Sequence, residues 1–500
     1  MRDLLTLPGH ILPNGRPASA GRLCCALIAA AALSAAMSVT TPALAFCGFY
    51  VGKADSTLFN DASQVIMVRD GDRTVISMQN DYRGDLKEFA IVVPVPQVLQ
   101  RGQINVGDRK IFDRIDAYSA PRLAEYHDGD PCTRRKMMDM ARAGTMSVQA
   151  PAAAPARERA LGVTVEATYT IGEYDIVILS ATQSDGLETW LQQNGYRIPR
   201  GASAALRPYI RQNLKFFVAK VNLKEQAKTG YTYLRPLQFA FESEKFMLPI
   251  RLGMINASGP QDLILYVMTK NGRVETTNYR TLKVPSNIDV PTAVKGDFAR
   301  FYKSMFGEQA KKEQLRVAFT EYFWDMGWCD PCAADPLSPE ELRASGVFWL
   351  EGQDTDSPPI AGSVAPASPP VAPIPPAAMR GRPLPAGAQP VMLTRLHIRY
   401  SNETFPEDLM FQETRDKQNF QARYVLHQPW KGDPAACDEA REYFAQLPVR
   451  FEREAQTLAS LTGWDINEIR TTANLTAPSV TLKPWWQNLW KREPDSAAPK

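Results

Sequence analysis

The chain has 500 residues, of which 44% are hydrophobic and 22% are charged, and its formal net charge is +3. This length and apolar content predict two or three domains with cores of ordinary size. The balance of 57 basic and 54 acidic residues excludes a protein that binds nucleic acid by neutralising phosphates, because such binding needs concentrated Lys and Arg.

Residues 1–45 have the pattern of a secretory signal peptide. The apolar run Leu23–Val39 is followed by Ala43 and Ala45, which occupy the two positions that a signal peptidase recognises. This run is shorter than the ~20 apolar residues that span a bilayer, which disfavours an uncleaved membrane anchor. A lipoprotein anchor is disfavoured by the bulky Phe46 before Cys47. We therefore predict cleavage after Ala45, export to the periplasm or the extracellular space, and no transmembrane span in the mature chain.

Residues 46–140 are predicted to form a β-rich, sandwich-like N-terminal domain. The turn Asp70-Gly71-Asp72 separates two segments of alternating apolar residues, 64–68 and 74–79. Asp-Gly in this position is a strong hairpin signal, because both residues tolerate the positive φ angles of a tight turn. A third strand is predicted over 89–95 and a helix over 111–126, which Pro121 interrupts.

Residues 161–352 are predicted to form an α+β domain, which follows the Ala- and Pro-containing loop 141–160. Segments of alternating or continuous apolar residues predict strands, and amphipathic segments predict helices. The predicted strands are 163–171, 174–180, 215–221, 237–242, 246–252, 263–269 and 273–279, and the predicted helices are 185–194, 202–213, 297–306 and 311–324. Asn271-Gly272 predicts a hairpin between the last two strands.

A Pro-rich linker, 353–390, precedes the C-terminal segment 391–500. Eleven prolines and no aromatic residue lie between positions 357 and 390, so the linker cannot bury much apolar surface. Beyond it, strands are predicted over 393–400 and 420–427, and helices over 434–446 and 453–461. The whole chain is therefore assigned to the α+β class, with a smaller α+β C-terminal segment.

The stretch 483–491 contains Trp485, Trp486 and Trp490 beside Lys and Arg residues. Tryptophan combines a large apolar ring with one hydrogen-bond donor, which suits a half-buried position. We expect this Trp-rich tail to fold back on the body of the protein. The alternative is a role in docking to a membrane surface or a partner.

The motif Trp328-Cys329-Asp330-Pro331-Cys332 differs at one position from the Trp-Cys-Gly-Pro-Cys active site of thioredoxins. A thiol-disulfide oxidoreductase would use Cys329 as the attacking thiolate and Cys332 as the resolving thiol. That mechanism needs a strand before the pair and a long helix that starts inside it. The residues before the pair are predicted to be helical, and a new helix is predicted to start at Pro339 with Ser338 as its cap. A structural disulfide is therefore the preferred interpretation.

Five cysteines remain after cleavage of the signal peptide: Cys47, Cys132, Cys329, Cys332 and Cys437. Because the number is odd, at most two intramolecular bridges form and one thiol is left over. The preferred pairing joins Cys47 to Cys132, and either Cys329 or Cys332 to Cys437. Connectivity does not follow from sequence alone, so other pairings stay open.

No metal or cofactor is predicted. Beyond the signal peptide, the histidines His127, His397 and His427 are scattered singly, whereas a metal site needs ligands at close spacing. The oxygen-rich segment 126–132 is interpreted as a polar turn beside a disulfide, with a cation site as the alternative. The sequence contains no nucleophile elbow, phosphate loop or dinucleotide fingerprint.

Several stretches resemble the bacterial domain-of-unknown-function 2330 family. They include Cys47-Gly48-Phe49-Tyr50-Val51, Tyr118-Ser119-Ala120-Pro121-Arg122-Leu123, Asp185-Gly186-Leu187-Glu188-Thr189-Trp190-Leu191 and the motif from Trp328 to Cys332. The resemblance extends from about Cys47 to Phe348 and implies an exported protein with no catalytic residues to transfer. It also weakens the thioredoxin interpretation, because the Cys pair belongs to a different overall pattern.

These observations favour a non-catalytic binding or structural module of the envelope or the extracellular space. Its expected partners are envelope or surface proteins, and nucleic acid is not among them. The alternatives are a thiol-disulfide oxidoreductase that uses Cys329 and Cys332, and an unrecognised periplasmic hydrolase.

Overall fold

The computed structural model of the chain describes residues 49–53, 59–83, 89–132, 165–180, 184–197, 199, 201–229, 233–257, 259–327, 335–350 and 391–473. Strands and helices both occur throughout these residues, and long-range strand pairing dominates. The prediction of an α+β protein with a β-rich body is therefore confirmed.

The strands are, in chain order, β1 Phe49–Lys53, β2 Phe59–Asp70, β3 Arg73–Arg83, β4 Phe89–Val95, β5 Ile104–Val106, β6 Arg122–His127, β7 Val165–Ile171, β8 Tyr174–Ser180, β9 Tyr196–Arg197, β10 Lys215–Val221, β11 Leu237–Glu242, β12 Met247–Leu248, β13 Gln261–Thr269, β14 Val274–Thr276, β15 Arg280–Lys283, β16 Ile288–Asp289, β17 Val317–Asp325, β18 Met392–Tyr400, β19 Leu409–Glu413, β20 Phe420–Gln421 and β21 Arg423–Gln428.

The α-helices are α1 Arg109–Ser119, α2 Ser184–Gln193, α3 Ala202–Arg211, α4 Leu223–Thr229, α5 Phe298–Lys312, α6 Pro339–Ala344, α7 Asp438–Thr462 and α8 Ile466–Thr472. Short 3-10 turns lie at Arg101–Gln103, Arg251–Asn256 and Thr292–Asp297. Among the described residues, no helix is both long enough and apolar enough to cross a bilayer.

Within the described residues, the strands form two large sheets and two small ones. The nine-stranded sheet has the order β15-β17-β18-β13-β2-β3-β11-β5, with β20 paired to β17. The six-stranded sheet has the order β7-β8-β10-β4-β1-β9, and the three-stranded sheets are β12-β19-β14 and β16-β21-β6. The hairpin predicted at Asp70-Gly71-Asp72 is confirmed, since β2 and β3 pair antiparallel and Gly71 has φ +59°.

The two large sheets face each other across the main hydrophobic core. Val65 of β2 and Ile91 of β4 both belong to this core, whereas their chain neighbours Ile66 and Ala90 belong to clusters on the outer faces. Because successive side chains of a strand point to opposite faces, this alternation places one sheet on the other as a sandwich. The body is therefore sandwich-like, as predicted.

Helices cover the outer face of each large sheet. Phe112 and Ile115 of α1 pack with Ile66 on the nine-stranded sheet. Leu191 of α2 and Leu206 of α3 cover the six-stranded sheet on its outer side. Both sheets are thus buried on two faces, which explains why their central strands are nearly continuous apolar runs.

A strand, β17, replaces the second half of the helix predicted over 311–324. Helix α5 ends at Lys312, and the chain then turns through Gln314 and Leu315, whose φ angles of 55° and 56° are not helical. The β-branched and aromatic residues that follow pair with β18, which the Pro-rich linker separates from them in the sequence. Local amphipathicity favoured a helix, but this long-range pairing overrides it.

The hairpin predicted at Asn271-Gly272 is wrong. β13 pairs with β2 and β18, while β14 pairs with β19. A Cβ atom on Gly272 would lie 2.1 Å from the carbonyl oxygen of Thr414. Glycine is therefore needed here because the backbone passes close to Thr414, the residue after β19. It is not needed for a turn between β13 and β14.

Two predicted helix boundaries also differ from the structure. The helix predicted over 111–126 ends at Ser119, because Pro121 follows and the chain continues as β6. The helices predicted over 434–446 and 453–461 are one helix, α7, with Pro448 inside it. Ser338 caps α6 at Pro339, as predicted, and accepts a hydrogen bond from the Glu341 amide.

The nine-stranded sheet takes strands from three of the predicted segments. β2 and β3 come from 46–140, β13 and β17 from 161–352, and β18 from 391–500. The boundaries between those segments therefore do not coincide with boundaries between sheets. The loop 141–160 and the linker 353–390 lie outside the described residues.

Gly346 provides a test of this packing. Its φ is +101°, and a Cβ atom there would lie 2.6 Å from a side-chain methyl carbon of Val75. We expect Gly346→Ala to lower the free energy of unfolding by about 1–3 kcal/mol, through backbone strain and overpacking. Gly102→Ala is the control, because nothing lies within 4 Å of a Cβ atom at that position. Denaturant titration should show a shifted midpoint for the first variant alone.

Candidate functional site

Cys132 and Cys437 form a disulfide bond across 305 residues of sequence. Cys132 lies shortly after β6, and Cys437 is the N-cap of α7, where its Sγ accepts a hydrogen bond from the Ala440 amide. The pairing of Cys47 with Cys132, and of Cys329 or Cys332 with Cys437, is therefore wrong. Cys47, Cys329 and Cys332 themselves lie outside the described residues.

The parallel pairing of β6 with β21 explains this connectivity. Residues Arg122–His127 run alongside Arg423–Gln428 in register. Because the two strands are parallel, their carboxyl ends lie side by side, and the chain segments that follow β6 and β21 start close together. Cys132 and Cys437 follow these two strands closely in sequence, which brings them within bonding distance.

Asp128 lies at the centre of a polar cluster beside the disulfide. Its Oδ2 accepts hydrogen bonds from the Tyr443 hydroxyl and from Arg450 Nη1, both at 2.6 Å. Burial alone would raise the pKa of Asp128, but the hydrogen bonds from Tyr443 and Arg450 outweigh it and lower the pKa below its usual value. Asp128 therefore stays ionised and ties the segment after β6 to helix α7.

Glu454 is a buried carboxyl group in the same cluster. Its side chain is 5% exposed, its Oε1 lies 3.4 Å from Arg450 Nε, and Oε1 has no hydrogen-bond partner among the described residues. Burial raises the pKa of Glu454 to about 7; Arg450 opposes this, while Asp289 and Asp128 add to it. Glu454 is therefore a group that can exchange a proton near neutral pH.

His427 completes the cluster from β21. Its Nδ1 lies 3.6 Å from Asp128 Oδ1, and its Nε2 lies 3.3 Å from Asp289 Oδ1. The ring of the exposed Tyr126 stacks on His427 with centroids 5.8 Å apart. The histidine thus lies between two carboxylates and under an exposed aromatic ring.

The segment 126–132, predicted to be a polar turn beside a disulfide, consists of the end of β6 and a polar connection that leads to the disulfide. Asp130 Oδ1 accepts a hydrogen bond from the Cys132 amide, and Asp128 is bound to α7. His127 is exposed at the end of β6. Across the described part of the chain, no three His, Cys, Asp or Glu side chains are grouped so that they could hold a metal ion.

His397 belongs to a different polar network, whose centre is buried. Its Nδ1 lies 2.7 Å from Glu321 Oε1, and its ring stacks on Phe306 with centroids 3.5 Å apart. Glu321 also accepts hydrogen bonds from Arg395 Nε and the Tyr302 hydroxyl. Burial alone would raise the pKa of Glu321, but His397 and Arg395 lower it to about 2.

This network joins the outer face of the nine-stranded sheet to two helices. Arg395 Nη1 donates to Asp116 of α1 at 2.7 Å, while Tyr302 reaches Glu321 from α5. Charged groups this deep must be paired to be tolerated, and the pairing fixes the positions of both helices. The network contributes to structure, and its central pair, Glu321 and Arg395, is buried away from solvent.

Sequence reasoning named Cys132 and Cys437 as disulfide candidates and placed Asp128 in a polar turn. It treated His427 as an isolated histidine and did not bring these residues together. It also missed the contributions of Tyr443, Arg450 and Glu454. The spacing of positions 443, 447, 450 and 454 is that of one helix face. The break predicted near Pro448 concealed this pattern.

Together, the fold and the site define a sandwich-like α+β protein whose last long helix is held by a disulfide and an ion cluster. A family model described as uncharacterised protein conserved in bacteria, domain of unknown function 2330, matches residues 41–412. The chain belongs to this family, which confirms the resemblance seen in the sequence. None of the curated proteins matches the chain.

One solved structure is similar over part of the chain, the crystal structure of baculovirus P35. It shares 11% sequence identity, with 42% of this chain and 66% of that chain covered and a TM-score of 0.22. The chain therefore matches just under two thirds of the length of that protein. A similarity at this level carries no argument about function.

The raised pKa of Glu454 predicts a pH-dependent stability. The unfolded chain would lose this proton near pH 4.5 and the folded chain near pH 7, so stability falls as the pH rises between these values. We expect Glu454→Gln to unfold like the wild type at pH 4.5, and to be more stable by about 1–3 kcal/mol at pH 8. Thermal or denaturant unfolding at both pH values measures the difference.

The matched control is Glu442→Gln, an exposed carboxyl on the same helix. Its unfolding should differ from that of the wild type by less than ~0.5 kcal/mol at both pH values. Equal stability of wild type and Glu454→Gln at pH 8 would contradict the buried, proton-binding role of Glu454.

The disulfide predicts a second change in stability. The double variant Cys132→Ser, Cys437→Ser should lose about 2–5 kcal/mol of unfolding free energy, because the bridge closes a loop of about 305 residues. Adding a reductant to the wild type should give a loss at least as large, and any further loss in the reduced double variant would report a bridge among Cys47, Cys329 and Cys332. An unchanged denaturation midpoint in the double variant would show that the bridge does not stabilise the fold.

Proposed function

We propose that this chain is exported and acts as a non-catalytic binding or structural module in the bacterial envelope or the extracellular space. The observation that carries the proposal is the bond between Cys132 and Cys437. Structural disulfides form and persist in oxidising compartments and are rare in the cytosol. The signal-peptide pattern of residues 1–45 supports the same location.

The arrangement of the polar cluster supports a structural role for its charged groups. Tyr443 and Arg450 of α7 both donate hydrogen bonds to Asp128, which lies far from them in sequence. These hydrogen bonds hold α7 against the three-stranded sheet that contains β6 and β21. This use of charge suits a module whose shape must persist outside the cell.

Partner contact is proposed at the surface beside this cluster. Tyr126 is 47% exposed and Val449 of α7 is 61% exposed, both large apolar side chains that face solvent. Aromatic residues are enriched at protein interfaces, where their apolar body is buried on binding. An envelope or surface protein is the partner class that agrees with the proposed location.

A thiol-disulfide oxidoreductase is the second candidate, and two observations favour it. Cys437 was the predicted disulfide partner of Cys329 or Cys332, but it is bonded to Cys132 instead. In addition, a strand, β17, precedes the Cys329–Cys332 motif. Against it, the next described helix, α6, starts seven residues after Cys332 and is only six residues long. A thioredoxin-type site needs a helix at the first Cys to lower the pKa of its thiol.

Cell fractionation with differential alkylation tests the proposed function. The full chain, including its leader, is produced in a bacterium, and free thiols are blocked before and after reduction. We expect a chain that begins at Phe46 outside the cytosol, with Cys132 and Cys437 blocked only after reduction. An uncleaved chain in the cytosol with Cys132 and Cys437 free would contradict the proposal.

The same sample separates the two candidate functions. A non-catalytic module should not accelerate the reduction of insulin by dithiothreitol, and Cys329→Ser should leave that rate unchanged. A rate well above background that is lost in Cys329→Ser would instead establish the oxidoreductase. Cys437→Ser is the control, since it frees Cys132 without altering the Cys329–Cys332 pair.

A further inference from the structure

A groove lies between the 3-10 turn Thr292–Asp297, the start of α5, and helices α7 and α8. The groove is open to solvent, and its cavity volume is about 120 Å³. Its floor is apolar, with Val294, Leu458 and Ile469 all nearly buried, and these residues belong to the core beneath. An open groove with an apolar floor is suited to bind aromatic or aliphatic side chains along its surface.

The rim of the groove combines an aromatic ring with charges of both signs. Trp464 is half-buried, and the guanidinium of Arg300 lies 4.8 Å from the centroid of its ring. Asp297 and Glu468 line the same groove; Glu468 is exposed, and Asp297 caps α5 by accepting a hydrogen bond from the Arg300 amide. The rim can therefore contact both aromatic rings and cationic side chains.

We propose that this groove binds the Trp-rich tail, residues 483–491, of the same chain. The first argument is position. Thr472, the last residue of α8, and Ala473 both line the groove, so the chain leaves the described structure at the groove itself. The tail is thus attached at the place where it would bind.

The second argument is reach. Nine residues, 474–482, separate Ala473 from the Trp-rich tail, and a chain of that length spans at most ~30 Å when fully extended. A tether of this short length gives an effective concentration in the millimolar range. The tail of the same molecule therefore outcompetes the tail of a second copy at ordinary protein concentrations.

The third argument is chemical complementarity. The tail offers three indole rings to the apolar floor and to the Arg300–Trp464 pair. Lys483, Lys491 and Arg492 flank these rings, and positions 483–492 contain no acidic residue. These cations can pair with Asp297 and Glu468 at the rim, so charge and shape favour the same occupant.

Photo-crosslinking on the full chain tests the proposal. Glu468 is exposed, so replacing it with p-benzoylphenylalanine places a reactive group at the rim without removing core contacts. We expect intramolecular crosslinks to peptides that contain Trp485–Trp490, with a yield that does not change on 100-fold dilution. The same group at Glu442, on the exposed part of α7, is the matched control and should give at least a fivefold lower yield to those peptides.

Hydrogen exchange provides an independent measurement that leaves the groove intact. In the variant Trp485→Ala, Trp486→Ala, Trp490→Ala, we expect the amides of 466–472 to exchange about tenfold faster, because the groove loses its occupant. A control variant outside the tail, Glu493→Ala, Pro494→Ala, Asp495→Ala, should leave that exchange unchanged.

Each opposing result would overturn the proposal. Crosslinks that disappear on dilution and occur at the mass of a dimer would assign the groove to a second copy. Equal crosslinking from positions 468 and 442, or unchanged exchange in the triple-Trp variant, would show that the tail does not occupy the groove.

Discussion

The fold depends on β13, which pairs with β2 in parallel and with β18 in antiparallel fashion at the centre of the nine-stranded sheet. Leu263, Leu265 and Val267 face the sandwich core, while Tyr266 and Met268 face the helices. Because β13 is buried on both faces, its backbone groups must be paired on both edges and its side chains covered on both sides. Segments far apart in sequence are therefore needed to complete one sheet, and the chain cannot bury this strand with any one of them alone.

The outer face of the same sheet shows how charge is accommodated in such a core. Glu321, Arg395 and His397 lie on β17 and β18 and bind one another there. Helices α1 and α5 supply Asp116 and Tyr302, so the two helices that close this face also complete the polar network. The low pKa of Glu321, about 2, follows from these partners, since burial by itself acts in the opposite direction. The network thus fixes the position of each helix more narrowly than apolar contacts alone would, because hydrogen bonds and ion pairs depend on distance and direction.

Helix α7 is held by different forces along its length. In its second half, Ala455, Leu458 and Leu461 pack into an apolar core with α5. In its first half, Ala440 and Leu447 are the buried residues, and the helix is held instead by the disulfide and the Asp128 cluster. Covalent and ionic contacts replace hydrophobic burial where the helix leaves the core. This division explains why a chain with a core of ordinary size still uses a disulfide.

The sequence by itself determined the class of the fold, the β2–β3 hairpin, most of the strands, the cap of α6 and the family, because these rest on local periodicity, turn chemistry and contiguous motifs. It could not determine that 317–325 is a strand, since the partner β18 lies beyond the Pro-rich linker and helical amphipathicity was the stronger local signal. Likewise, only the tertiary structure decided that Cys132 forms a disulfide with Cys437 and that Asp128 pairs with Arg450. Both contacts follow from the parallel pairing of β6 with β21. The spacing of side chains along the chain reflects local structure only. The pairing of distant strands depends on which register buries the apolar side chains on both faces of the sheet.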